Sequence, residues 1–241
     1  MRGVSRSGRT DSTAIGGPVF QVARHVSRAL LAVLARPRLM GEANVPRHGS
    51  LLVVSNHASM IDTVVLAALF PRPIAYLGKR ELFRWAFFAW GFRAAGVIPI
   101  NREGVDRRAL ELGLDVLKRE GSLVVFAEGT RSGSGILGPA KAGVGLLAAR
   151  SRAAVLPVAI LGTEGLEDSR RWLSRPVIEL RCGQVIEPIV AVPPDGYQGL
   201  ADRYLRAVAE LLPAWRRGPR YDSPTVEQDP STPPAGATSS R

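Results

Sequence analysis

From residue 51 onward, short aliphatic and β-branched runs alternate with longer amphipathic stretches, and this alternation predicts the fold. Strands are predicted at residues 51–55, 73–77, 97–101, 122–127, 154–161 and 177–182. Helices are predicted at 60–70, 80–94, 105–120, 140–151 and 198–216, with Gly121 stopping the third as a C-terminal cap. Strands separated by helices require crossovers, so the fold class is α/β: one domain, residues 41–217, with a largely parallel central sheet flanked by helices. In Leu156-Pro157-Val158-Ala159-Ile160, proline inside a strand-like run implies an edge, a bulge or a strand's first residue.

Ahead of the sheet, Pro18 to Ala35 reads as a helix. Val19, Phe20, Val22, Ala23, Val26 and Ala29 to Leu34 are apolar there, while Arg24, His25 and Arg28 interrupt them. Its longest unbroken apolar stretch, Ala29 to Ala35, is too short to span a bilayer. No small-residue cleavage site precedes Arg36-Pro37-Arg38, so the segment does not read as a cleavable signal peptide. A basic amphipathic helix is expected to lie on an anionic membrane surface, and residues 18–40 are assigned that role. Residues 1–17 read as a disordered basic N-terminus, and 218–241, rich in Pro, Ser and Thr, as a disordered tail.

Composition narrows the function. At 241 residues the chain suits one sizeable core, and 46% hydrophobic residues exclude a wholly disordered chain. A single cysteine, Cys182, excludes an internal disulfide, and His25, His48 and His57 are too scattered to suggest a metal cluster. The formal charge is +11, of which residues 1–40 contribute seven arginines against one acid, Asp11. Such a balance suits a solvated basic surface, a nucleic acid or an anionic membrane. No nucleic-acid-binding motif is present, so no nucleic-acid partner is expected. Phe83, Trp85, Phe87, Phe88, Trp90 and Phe92 put six of the fifteen aromatics into ten residues. On a helix they form two opposed stripes, of which one can fill a core; the other is either buried by neighbours or meets membrane, acyl chain or protein.

Asn56-His57-Ala58-Ser59-Met60-Ile61-Asp62 carries the chemistry most worth testing. It directly follows an apolar strand, and strand ends of α/β proteins are where ligands bind. An imidazole held by a carboxylate can remove a proton from a hydroxyl or thiol. Ser59 and Asp62 also have the spacing of a helix-capping pair, so Asp62 is either a cap, a partner of His57, or both. There is no Gly-x-Ser-x-Gly and no histidine partner for Cys182, which points to activation of a substrate hydroxyl directly.

Two further constellations fall at strand ends. In Gly96-Val97-Ile98-Pro99-Ile100-Asn101-Arg102 a strand delivers a guanidinium suited to a phosphate. In Phe126-Ala127-Glu128-Gly129-Thr130-Arg131-Ser132, Gly129 permits close backbone approach while Thr130 and Arg131 offer donors to phosphate oxygens.

With the proline-bearing strand Leu156 to Ile160, these blocks stand in the order found in glycerolipid acyltransferases. The chain resembles that family, specifically the 1-acyl-sn-glycerol-3-phosphate acyltransferases, over roughly residues 50–162. It departs from the pattern at Ala127, where proline is usual, and at the residue before Lys141, where an aromatic is usual; Gly78 to Leu82 and Lys141 to Gly143 match lesser segments. The resemblance implies that His57, oriented by Asp62, deprotonates the free hydroxyl of a lysophospholipid. That hydroxyl would attack an acyl thioester of coenzyme A or acyl carrier protein, with no acyl-enzyme, no metal and no cofactor beyond this co-substrate. It further implies that Asn56, Gly96, Arg102, Glu128, Gly129, Thr130 and Arg131 bind the acceptor, and that the enzyme works at the cytoplasmic face of a membrane, peripherally or monotopically. Related acceptors (glycerol 3-phosphate, an amino-acid lipid, a glycolipid), a thioesterase and a non-catalytic lipid-binding protein are the alternatives.

Overall fold

The computed structural model of the chain describes residues 16–79, 97–100 and 107–222. Helix α1 (Pro18–Leu34) is followed by strand β1 (Arg36–Met40), β2 (Leu51–Ser55), α2 (Ile61–Leu69), β3 (Ile74–Lys79) and β4 (Val97–Ile100). Then come α3 (Arg107–Lys118), β5 (Ser122–Phe126), α4 (Ala142–Ser151), β6 (Ala154–Leu161), β7 (Val177–Cys182), α5 (Gly196–Leu211) and the short α6 (Ala214–Arg217). Seven strands form one sheet in the order β1-β7-β6-β2-β5-β3-β4. Every neighbouring pair is parallel except β6 and β7.

Strand β2 lies at the centre, and its five residues are buried. Burial on both faces explains why Leu51-Leu52-Val53-Val54 is continuously apolar rather than alternating. Leu52 and Val54 pack with Leu117 of α3, Leu147 of α4 and Tyr204, Leu205 and Val208 of α5. Leu51 and Val53 pack on the other face with Leu31 of α1 and Val65, Leu66 and Phe70 of the α2 region.

Four sequence expectations change. The helix of segment 18–40 ends at Leu34, and Arg36–Met40 is an edge strand paired in parallel with β7, so the sheet begins before residue 41. Charge and proline obscure such a strand in the sequence, and both are ordinary at a sheet edge. Pro157 is not on an edge strand: it faces Val54 of β2, while the antiparallel ladder to β7 begins one residue later at Val158. The last long helix is broken at Pro213 into α5 and α6, because proline cannot continue it. Order also extends past 218, since Tyr221 is buried and its hydroxyl accepts from the Ala140 N–H at 3.3 Å. The helix predicted at 80–94, with its aromatic stripes, lies outside the described residues, as do Gly96 and Arg102.

Candidate active site

Because β6, β2 and β5 are adjacent, the turns leaving their carboxyl ends meet at one place. These turns carry His57, Glu128 and Thr163 respectively after β2, β5 and β6.

His57 lies in the turn before α2 rather than on the helix, so its ring can reach back to the first helical turn. The His57 Nδ1 is 2.8 Å from Asp62 Oδ2. Asp62 is wholly buried, and the same Oδ2 accepts the backbone N–H of Ala58 (2.8 Å) and of Ser59 (2.9 Å). Ser59 Oγ in turn accepts the Ile61 N–H at 3.2 Å. Asp62 therefore caps the helix start and grips His57 at once. With the Nδ1–H directed at the carboxylate, Nε2 is left as the unprotonated nitrogen of the neutral ring. The ring stacks on Phe126, centroids 3.9 Å apart at an interplanar angle of 12°.

The turn after β5 holds the His57 backbone rather than only facing ligand. Glu128 Oε1 accepts the His57 N–H (3.1 Å), Glu128 Oε2 accepts the Gly138 N–H (2.8 Å), and the Ser132 N–H donates to the His57 carbonyl at 2.8 Å. Burial pushes the Glu128 carboxyl above the usual carboxylate range, and the two N–H donors oppose that only in part. Glu128, expected to bind the acceptor, thus also ties two backbone N–H groups of the turns together. Asn56, expected to bind the acceptor, is buried: its amide donates to the Ile160 carbonyl (2.9 Å) and accepts the Ile160 N–H (2.8 Å), tying β2's end to β6. Thr130 and Arg131 do reach solvent, and Gly129 has φ +71°, with Lys141 Cγ 3.1 Å from where a Cβ would lie. A side chain at Gly129 is disfavoured on both counts.

Replacing Glu128 by Ala leaves two N–H groups without their acceptor, a loss expected to be about 2 kcal/mol in denaturant unfolding. The folded carboxyl takes up its proton at higher pH than the unfolded one, so its contribution is greatest in acid and is lost as pH rises through the folded value. The stability advantage of wild type over Glu128→Ala should therefore shrink from acid toward neutral pH; parallel unfolding curves check this.

Two parts of the site gave no clear sequence signal. Thr163 Oγ1 donates to Asp62 Oδ1 at 2.5 Å, across 101 positions of chain. Glu167 accepts from Ser59 Oγ at 2.8 Å, and that hydroxyl is the first cause holding its carboxyl below the usual range. A polar residue just past the end of a strand neighbouring β2 was the only hint of Thr163. Cys182 offers no rival nucleophile, since burial pushes its thiol up to about 12.

The acyltransferase family model matches residues 36–161, more than half of the chain. The chain belongs to the acyltransferase family. Among its relatives is a 1-acyl-sn-glycerol-3-phosphate acyltransferase of Streptococcus pneumoniae, 28% identical over 63% of this chain and 56% of that protein. Another, from Chlamydomonas reinhardtii, is 32% identical over 73% of this chain and 52% of its own length. A chloroplastic enzyme of the same name from Arabidopsis thaliana is 34% identical over 51% of this chain and 35% of that protein. The chain thus spans about a third to a little over half of these relatives. The crystal structure of the 1-acyl-sn-glycerophosphate acyltransferase from Thermotoga maritima shares the fold, with a TM-score of 0.65 and 24% identity over 80% of this chain and 79% of that one. This acyltransferase chain thus has six of its seven strands and its His57 turn inside the matched region, whereas Thr163, strand β7 and everything after them lie beyond.

Proposed function

We propose that this acyltransferase moves a fatty acyl group from a thioester of coenzyme A or acyl carrier protein to the free hydroxyl of 1-acylglycerol 3-phosphate, forming phosphatidic acid for phospholipid synthesis. The observation that carries the reading is the buried Asp62 at 2.8 Å from His57 Nδ1, beside a turn with Thr130 and Arg131 open to solvent. His57 Nε2 takes the hydroxyl proton as the oxygen attacks the thioester carbon. The tetrahedral intermediate collapses with cleavage of the C–S bond, and the imidazolium returns the proton to the leaving thiolate. The acceptor's phosphate is held by Arg102, Thr130 and Arg131, which fixes its hydroxyl beside the base. The relatives' shared name and the family match support this acceptor. Purified protein offered acyl-CoA with 1-acylglycerol 3-phosphate, glycerol 3-phosphate, an amino-acid lipid and a glycolipid, with products identified by mass, tests it. Phosphatidic acid is the expected product; ester formation only with another acceptor, or fatty acid alone, contradicts the reading.

The same reading brings the protein to the lipid at the cytoplasmic face of a membrane. A long acyl chain resists leaving the bilayer by roughly 0.8 kcal/mol per methylene, so the enzyme must reach it there. Helix α1 buries Phe20 and Leu31 but leaves Val22, Val26, Leu30 and Val33 exposed along one stripe. No helix among the described residues is long and apolar enough to cross a membrane, so contact through this stripe is interfacial. Wild type is expected to float with anionic liposomes, and Val26→Glu with Leu30→Glu to abolish flotation without lowering the melting temperature. Failure of wild type to float at low salt would overturn the membrane contact.

A further inference from the structure

Asp62 is wholly buried, yet its two oxygens are served very unequally. Oδ2 accepts from His57 Nδ1, Ala58 N and Ser59 N, whereas the hydrogen bond recorded on Oδ1 is the Thr163 hydroxyl. A carboxylate has a nearly two-fold barrier about its last torsion, so three donors on one oxygen do not by themselves stop it from rocking. A donor on the opposite oxygen does. Thr163 is also wholly buried, so water is not at hand to replace its hydroxyl.

The chain fixes Thr163 from several directions. Gly162 before it has φ +82°, and a Cβ there would meet the Val177 carbonyl oxygen, so only glycine suits the turn. The Leu166 N–H closes onto the Thr163 carbonyl at 3.2 Å. Glu164 next to it accepts the Gly162 N–H at 3.1 Å and forms an ion pair with the buried Arg216, whose Nε donates to the Gly135 carbonyl at 2.9 Å. Glu167 at the far end of the loop holds Ser59. The loop 162–167 is therefore clasped to both ends of the Asp62 cap.

We propose that Thr163 is a positioning residue for the acyl transfer: its hydroxyl locks the Asp62 carboxylate in the rotation that holds His57 with its proton on Nδ1 and Nε2 free as base. The inference rests on the reading of His57 as the base. Thr163→Val keeps the shape and removes the donor. Its turnover is expected to fall about 10- to 100-fold, the usual cost of losing a hydrogen-bonding partner behind a functional group, with KM for both substrates within about twofold because Thr163 touches neither. Thr163→Ser restores the donor and should recover turnover to within about threefold of wild type.

The deciding experiment pairs this kinetic series, run with whichever acceptor is used, with ¹⁵N NMR of the neutral histidines, the His57 signals being assigned by their loss in His57→Ala. Wild type should show the proton on Nδ1, and Thr163→Val a mixture of tautomers. Should Thr163→Val fail to fold, Thr163→Cys, a weaker donor of similar size, replaces it, with turnover intermediate between wild type and full loss. Wild-type turnover and an unmixed tautomer in the folded variant, with His57→Ala inactive, would overturn the role of Thr163 alone. Full turnover by His57→Ala, or an Nε2 proton in wild type, would instead overturn the base reading.

Discussion

Asp62→Asn is expected to lower turnover by about 10³- to 10⁴-fold, the scale seen when a histidine base loses the carboxylate that sets its tautomer. His57 Nδ1 and the N–H groups of Ala58 and Ser59 all meet Oδ2, so the new amide N–H₂ stands either in that place, facing all three, or in the place of Oδ1, facing the Thr163 hydroxyl. In the first place it makes Nδ1 an acceptor, puts the ring proton on Nε2, where a base has to be bare, and sets donor against donor at Ala58 and Ser59. In the second the amide carbonyl keeps those donors and the Thr163 hydroxyl turns to accept, and what is lost is the negative charge beside the imidazolium that forms in the reaction. Asp62→Ala removes the acceptor altogether and strands the Ala58 and Ser59 N–H groups and the Thr163 hydroxyl. Breaking such a buried cluster costs about 3 to 5 kcal/mol, which lowers the melting temperature of a domain this size by roughly 10 °C. Calorimetry of both variants beside steady-state kinetics checks the two effects separately. A folded Asp62→Asn with turnover near wild type would contradict the geometry's assigned role.

His57→Ala is expected to lose turnover by about 10²- to 10⁴-fold, the contribution of a positioned general base, or on the order of 3 to 5 kcal/mol of barrier. Its effect on stability should be far smaller than that of Asp62→Ala. The backbone groups of residue 57 that bind Glu128 and Ser132 survive the substitution, and Asp62 keeps Ala58, Ser59 and Thr163 as donors. The lost ring mainly uncovers Phe126. Kinetics with melting curves measured on the same preparation separate the two: a large fall in kcat with a nearly unchanged melting temperature is expected.

These two residues were legible in the sequence because the chain itself brings them together, five positions apart across a helix start that follows an apolar strand. Such a turn is short enough that spacing constrains geometry. The central strands were legible for a related reason, since burial on both faces demands unbroken aliphatic runs such as Leu51 to Val54. Strand β1 was not, because its exposed edge lets Arg36, Pro37 and Arg38 stand where a central strand would need apolar residues. Thr163 was not either: its partner lies 101 residues away, and one threonine in a polar turn carries no pattern. Asn56 and Glu128 were visible as residues of the site, but the backbone groups they hold were not. Whether a polar side chain faces a ligand or a neighbouring backbone is settled by which strands lie side by side, here β6-β2-β5, and a linear pattern does not state that order.

The central claim is direct transfer: the acceptor hydroxyl, deprotonated by His57, attacks the thioester with no acyl group ever resting on the protein. The most direct measurement is rapid-quench mass spectrometry of intact protein, released thiol and lipid product after mixing with acyl-CoA and 1-acylglycerol 3-phosphate. The expected result is ester formed in step with free thiol, an unmodified protein mass at every time point, and no thiol release when the acceptor is omitted. A burst of thiol accompanied by an acylated protein, or thiol release matched by free fatty acid in place of ester, would contradict the account.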